Sequence, residues 1–262
     1  MLSVILTLAI LMSLLMAGAW ALQRATGSSG WIDTVWSASV GLGGVLAVLF
    51  AEGDGWRRAV VFFLVVVWSL RLAGHIGMRT RGGGEDPRYA KLIEEWGSVA
   101  SLRLFIFLQI QAIAAFVLVL AVYLAASNGQ GFPRPIDVFA TVVALTALAG
   151  EALSDAQLSK FRRTPEAKTG VCETGLWRYS RHPNYFFEWL FWCSFPLLAI
   201  QEQVLSWASL AAPMMMYWLL VHVSGIPPLE EHMLKSRGEK FRALQRRVNA
   251  FFPGPRKNEE TP

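Results

Sequence analysis

Long apolar segments constrain this chain more than any other feature of its sequence. A helix that crosses the hydrocarbon core of a bilayer needs about 20 mostly apolar residues. Only 16% of the residues are charged, whereas soluble domains contain about 25%. The sequence therefore predicts an all-α integral membrane bundle of seven transmembrane helices. The seven spans are Leu2 to Leu22, Trp31 to Ala51, Arg58 to Gly77, Leu104 to Ala126, Ile136 to Leu153, Tyr185 to Ile200 and Val204 to Val223.

The spans leave little room for a separate soluble module. We therefore expect a single transmembrane domain over residues 1–262, with residues 254–262 forming a flexible tail. Two cysteines are too few for a disulfide framework, and no Cys or His spacing resembles a zinc site. We expect no bound metal.

Positive charge is concentrated in three regions that alternate with nearly uncharged connections. Of the 24 Lys and Arg residues, nineteen lie between spans three and four, between spans five and six, or after span seven. The positive-inside rule then predicts an outer amino terminus and a cytoplasmic carboxyl terminus, in a bacterial inner membrane. These residues lie beside the membrane without interleaved aromatics, so we expect contact with membrane lipids and no nucleic-acid binding. The oligomeric state stays open.

Several ionisable side chains lie within the apolar spans. A charged group at membrane depth costs at least about 2.5 kcal/mol, which makes it a candidate functional residue. Asp33 opens span two, Arg71 and His75 share one face of span three, and Glu188 lies in span six. Structural alternatives remain for each group. Arg71 could pair with Asp33 or Glu188, Asp33 could cap its helix, and His75 could be a packing residue.

The most informative segment runs from Gly175 to Trp189 and contains Arg181-His182-Pro183-Asn184-Tyr185, with Glu188 following. It resembles the signature of the steroid 5α-reductase family and the related sterol reductases, in which Asn-Tyr-x-x-Glu/Asp follows an Arg-His pair. Asp155 and Arg162, seven residues apart, match an Asp and an Arg that hold the cofactor in that family. The resemblance is good toward the carboxyl end of the chain and loose before residue 100.

The resemblance implies an NADPH-dependent membrane oxidoreductase whose cytoplasmic loops close over a cofactor cavity. Arginine suits the phosphates of NADPH because its guanidinium group can bind them bidentately. His182-Pro183 could also be a rigid turn into span six. By resemblance, the cofactor-binding residues are Arg71, Arg79, Asp155, Arg162, Tyr179, Arg181, His182, Asn184 and Glu188.

Enzymes of this kind transfer hydride to the C=C bond of a lipophilic enone, such as a 3-oxo-4-ene steroid, and then need a proton donor. The steroid reductases use a Glu on span two and a Tyr on span three. Here the corresponding candidates are Asp33 and Trp68, and span three contains no Tyr. Because an indole cannot transfer a proton at useful pH, Asp33 kept protonated by burial, His75 or Tyr217 would have to do so.

A second enzyme class shares part of this signature. Membrane S-adenosylmethionine-dependent methyltransferases that act on isoprenylcysteine or phospholipid also contain Arg-His-Pro-x-Tyr and a later acidic pair, here Glu230-Glu231. They usually have Gly two residues after the Tyr, where this chain has Phe187. A non-enzymatic lipid-binding protein is a third interpretation. The reductase interpretation accounts for more of the residues.

Overall fold

The computed structural model describes residues 1–81 and 86–257, except for the side chains of Arg79 and Pro87. Within these ranges the chain is helical and contains no strand. The ten α-helices of the described ranges are α1 (Leu2–Thr26), α2 (Ile32–Phe50), α3 (Gly55–Arg81), α4 (Pro87–Trp96), α5 (Ala100–Ala126), α6 (Pro135–Arg162), α7 (Pro183–Ala199), α8 (Ala211–Trp218), α9 (Ile226–Arg237) and α10 (Glu239–Arg247). Short 3-10 helices precede α5, α7 and α8, and a π-helical turn follows α8.

Six stretches of the described chain are long and apolar enough to cross a membrane. They are Leu2–Thr26, Ile32–Phe50, Gly55–Met78, Arg88–Ala126, Pro135–Arg162 and Val204–Arg237. The remaining predicted span corresponds to α7, which has 17 residues and contains Pro196 near its carboxyl end. Its length falls below the roughly 20 residues of a typical span. The length and apolar composition of these helices identify the chain as an integral membrane protein. The count of seven spans and the cofactor cavity stay predictions.

The chain divides into two compact units, which are described separately. The first comprises Met1–Ala140 and Phe195–Ala212, and the second comprises Thr141–Ser194 and Pro213–Pro262. The predicted catalytic residues lie in the first unit, together with Arg71 and Arg79. The other predicted cofactor residues lie in the second unit.

Small residues on α2 allow close packing in the first unit. A Cβ added to Gly43 would lie 2.6 Å from Cε of Met12 on α1, and one added to Gly44 would lie 2.7 Å from Cγ1 of Val65 on α3. Such sites let helix backbones approach each other closely in a membrane protein. Helix α2 therefore packs against α1 and α3 within this unit, and it also packs against α5.

A fully buried arginine joins three parts of the first unit. Nη2 of Arg57 lies 2.8 Å from Oδ2 of Asp137 in the first turn of α6. Nη1 of Arg57 donates to the backbone carbonyls of Asn128 and Gln130, at 2.6 Å each. Arg134 also donates to Asp137. The start of α3 is therefore bonded to the start of α6 and to the segment between α5 and α6.

We expect Arg57→Met to lower the free energy of unfolding by about 3 kcal/mol, because it leaves the carbonyls of Asn128 and Gln130 without their charged donor and removes one of the two arginines that bind Asp137. Thermal unfolding in detergent measures this change. The neighbouring Arg58 donates to the carbonyls of Val48 and Leu49 at 3.3 and 3.5 Å. Arg58→Met should cost at most about 1 kcal/mol. Equal losses for the two variants would contradict a special role for Arg57.

The second unit has an apolar core beside α10. Phe241 and Leu244 of α10 are buried with Val248, and Val171, Met233 and Leu234 pack against them. The apolar face of α10 is therefore covered within the unit, whereas its Lys240 and Arg242 are exposed.

Candidate functional site

Close packing of α6 on α7 brings together two predicted cofactor residues in the second unit. A Cβ added to Gly150 on α6 would overlap the ring of Phe187 on α7, so only glycine permits this approach. Nearby, Nδ2 of Asn184 donates to Oδ1 of Asp155 at 3.2 Å. A carboxylate on α6 therefore orients the amide in the first turn of α7.

Glu188 lies one helical turn after Asn184, so the two side chains share a face of α7. Its side chain is buried, and Oε1 accepts a hydrogen bond from Nε1 of Trp192 at 2.9 Å. Trp192 is itself fully buried. An indole donor therefore fixes the orientation of this carboxylate, and an amide and a carboxylate are held on successive turns.

Arg181 is bonded to the carboxyl-terminal part of the second unit. Its Nε and Nη2 donate to the two carboxylate oxygens of Glu230 at 2.7 and 3.2 Å. Its Nη1 donates to the carbonyl of Gln245 at 3.3 Å and to that of Val248. Four of the five guanidinium donors are used in this way. This leaves Arg181 little capacity to bind a phosphate.

His182 contacts the same carboxylate. Its Nε2 lies 3.0 Å from Oε1 of Glu230, and its ring stacks on Tyr185 with centroids 5.6 Å apart. Burial lowers the pKa of His182, although Glu230 acts in the opposite direction. A neutral ring then donates from Nε2 to the carboxylate. Pro183, the next residue, begins α7.

The segment after α10 completes this arrangement. Oγ of Ser180 donates to the carbonyl of Phe251 at 2.9 Å, and the amide of Arg181 donates to that of Asn249 at 2.9 Å. The amide of Gly254 donates to the carbonyl of Tyr179 at 3.0 Å. Residues before α7 are thus hydrogen-bonded to residues at the carboxyl end of the chain. The predicted tail contains Gly254 and continues into residues 258–262, which lie outside the described residues.

Two further predicted cofactor residues lie on the surface of the second unit. Arg162, in the last turn of α6, is exposed, and Tyr179 is 47% exposed. In the first unit, Arg71 and His75 are partly buried on α3, four residues apart. Arg79 also belongs to α3, and its side chain lies outside the described part.

A polar network surrounds Asp33 in the first unit. Oδ2 of Asp33 lies 2.5 Å from Nη2 of Arg88, and Oδ1 accepts the hydroxyl of Tyr89 at 2.7 Å. The Tyr89 oxygen in turn accepts from Nε2 of Gln111 at 2.9 Å. The Asp33 carboxylate therefore binds two side chains of α4. Trp68, a second predicted catalytic residue, is fully buried in α3.

The reasoning from sequence missed two partners in these clusters: Tyr89 beside Asp33, and Glu230 beside Arg181. Tyr89 lies in the connection after span three, so a search for a tyrosine within that span does not find it. A search of the flanking connections for one of the five tyrosines would have found it. No group of three or more His, Cys, Asp or Glu residues in residues 1–81 and 86–257 is arranged to hold a metal ion.

A family described as "Protein of unknown function (DUF1295)" matches residues 19–248 of the chain. The chain belongs to the DUF1295 family. An uncharacterized protein of Schizosaccharomyces pombe is 28% identical over 227 residues, covering 75% of this chain and 63% of the relative. The chain thus spans less than two thirds of that relative's length. No solved structure matches this chain. The cluster around Asp33 and the cluster around Glu230 both lie within the range matched to DUF1295.

We expect Glu230→Gln to loosen the turn before α7, because it removes the charged acceptor shared by Arg181 and His182. The loss in unfolding free energy should be about 2 kcal/mol. The adjacent Glu231 is 55% exposed and pairs with Lys235. Glu231→Gln should cost less than about 1 kcal/mol. Thermal unfolding of the two variants in the same detergent makes the comparison, and a smaller loss for Glu230→Gln would contradict the assignment.

Proposed function

We propose that this DUF1295 protein is an NADPH-dependent membrane reductase that acts on the C=C bond of a lipophilic enone, either 3-oxo-4-ene steroid-like or another lipid. The observation that carries the proposal is the arrangement of Asn184 and Glu188 on successive turns of α7, oriented by Asp155 and Trp192. These residues belong to the segment that resembles the steroid 5α-reductase signature.

The donor and acceptor groups fit the nicotinamide carboxamide. A carboxamide has an oxygen that accepts and an NH₂ group that donates, which an amide such as Asn184 and a carboxylate such as Glu188 complement. The exposed Arg162 and Tyr179 would bind the phosphates and ribose at the surface of the same unit. We propose that Arg181 and His182, bonded to Glu230, position the turn. When bound, NADPH supplies the hydride that the acceptor receives.

Among the residues of the first unit, we assign proton donation to the Tyr89 phenol, with Asp33 and Gln111 as its positioning partners. Asp33 accepts the phenol hydrogen and Gln111 donates to its oxygen, so the ring has a defined orientation. In the reaction the phenol O–H bond would break as a C–H bond forms on the enolate carbon, and the phenolate left behind would accept from Gln111 while Arg88 neutralises Asp33. Trp68 can only donate a hydrogen bond. The Asp33–Tyr89 pair therefore supports the proposal better than Trp68 or His75 does.

We further propose seven spans with the amino terminus outside and the carboxyl terminus in the cytoplasm of a bacterial cell. In the first unit, the Asp33 cluster joins the start of α2 to α4, and the Arg57 cluster joins the start of α3 to the start of α6. These helix ends fall on opposite sides of the membrane in the proposed topology. The first cluster is then cytoplasmic, and an oily acceptor reaches the protein from the bilayer.

A membrane methyltransferase is the second candidate. It is favoured by the contact of Glu230 with Arg181 and His182, because these residues come from the two parts of the methyltransferase signature. The contact between Asp155 and Asn184 has no place in that signature and favours the reductase. Mass analysis of small molecules retained by protein purified in mild detergent distinguishes the two: NADPH supports reduction and S-adenosylmethionine supports methyl transfer.

We expect Glu188→Gln and Asn184→Ala each to weaken NADPH binding by about tenfold or more, since the first removes the charge from an acceptor of the carboxamide and the second removes a hydrogen-bonding group. Titration of NADPH into the purified variants, followed by nicotinamide fluorescence, measures the dissociation constant. Glu239→Gln, an exposed carboxylate paired with Arg242, is the matched control and should bind as the parent does. Unchanged affinity in both site variants would overturn the assignment.

Tyr89→Phe should lower the turnover of an enone substrate by about 100-fold or more and leave NADPH affinity unchanged, because general-acid catalysis contributes about that much. Tyr123→Phe, a second buried tyrosine of the first unit, provides the control. Full activity of Tyr89→Phe would exclude the phenol as the proton donor.

A further inference from the structure

Helix α5 carries an exposed apolar strip that begins at an arginine. Arg103, Ile106, Ile110 and Ile113 follow one another at spacings of three and four residues, so they share one face of the helix. The three isoleucines are 50%, 60% and 64% exposed. On a membrane-spanning helix, a face of this kind contacts acyl chains. Arg103 is exposed and has no hydrogen-bond or ion-pair partner among the described residues.

The part of this strip nearest the amino-terminal end of α5 forms one side of a groove. Arg103, Ile106, Phe107 and Ile110 line it from α5, and Trp96 lines it from the end of α4. The groove has a volume of about 210 Å³. The ring centroids of Trp96 and Phe107 lie 6.3 Å apart. The groove is therefore apolar along its length, and its charged group is Arg103.

The dimensions of the strip fit one leaflet of a bilayer. Arg103 and Ile113 are separated by ten residues, which at a rise of about 1.5 Å per residue extend about 15 Å. The hydrocarbon core of a bilayer is about 30 Å thick, so the strip spans about half of it. Trp96 lies beside the charged end, where indole rings are enriched at membrane interfaces. The strip is therefore long enough to lie along one acyl chain of a lipid whose headgroup is near Arg103.

We propose that this groove binds an anionic phospholipid, with its phosphate at Arg103 and one acyl chain along Ile106, Ile110 and Ile113. Charge favours an anionic headgroup because the guanidinium has no partner within residues 1–81 and 86–257 and is well suited to phosphate. Glu95, near the end of α4, lies 3.8 Å from Lys91 and is thereby partly neutralised. The site is independent of the proposed reductase activity and lies within the first unit.

The test measures selectivity for phosphatidylglycerol over phosphatidylcholine. The full chain is reconstituted in vesicles that contain spin-labelled forms of each lipid, and electron paramagnetic resonance gives their relative association constants. The parent protein should select phosphatidylglycerol, and Arg103→Gln should reduce that selectivity about fivefold, the effect of one basic residue near an anionic surface. Lys240→Gln removes the same charge from an exposed position on α10 and should leave most of the selectivity intact.

A second pair of variants tests the apolar part of the site. Ile110→Trp fills the groove and should lower phosphatidylglycerol association by a factor similar to that of Arg103→Gln. Ile10→Trp is its matched control, because Ile10 on α1 is 59% exposed and Ile110 is 60% exposed. Equal selectivity in the parent and Arg103→Gln, or equal effects of the two tryptophan variants, would overturn the proposal. Circular dichroism of each variant establishes that the helices are retained.

Discussion

A polar side chain that is buried away from water must be paired inside the protein, because its surroundings offer it no other hydrogen bond. This constraint accounts for the main clusters of both units. In the first unit, Arg57 is completely buried and uses two backbone carbonyls and the Asp137 carboxylate. In the second, Glu230 accepts from Arg181 and Gln245 and contacts His182. Each cluster connects helix ends that are distant in sequence, so satisfying the charge also positions the backbone.

The helices and most of their limits could be predicted from sequence, because a bilayer imposes a minimum length on any apolar segment that crosses it. The exceptions are the seventh predicted span, Val204 to Val223, which is divided among a 3-10 helix, α8 and a π-helical turn, and α6, which continues past Leu153 to Arg162. Helix α4, in the connection after span three, was not predicted. The contact between Asp155 and Asn184 joins α6 to α7, and the resemblance to the steroid 5α-reductase signature singles out both residues. Close packing at Gly150 supplies the physical reason for that proximity.

The partners of Asp33 and Arg181 could not be predicted in the same way. Tyr89 is 56 residues from Asp33, and Glu230 is 49 residues from Arg181. Periodicity and spacing describe neighbours on one helix, whereas these contacts depend on how several helices pack. Glu230 was recognised only as part of an acidic pair shared with methyltransferases. Its contacts give it a structural role that is compatible with either chemistry, because both require a defined turn before α7.

The hydrogen bonds between the segment around Ser180 and the end of the chain affect how the protein is made. Oγ of Ser180 and the carbonyl of Ala250 are 70 residues apart in the chain. Ser180 therefore leaves the ribosome well before its acceptors have been synthesised. The turn ahead of α7 can reach its final conformation only after residues 249–254 have been synthesised. A chain whose synthesis stops near residue 240 would contain helices able to insert into the membrane. Its turn before α7 would lack the acceptors at Ala250 and Phe251.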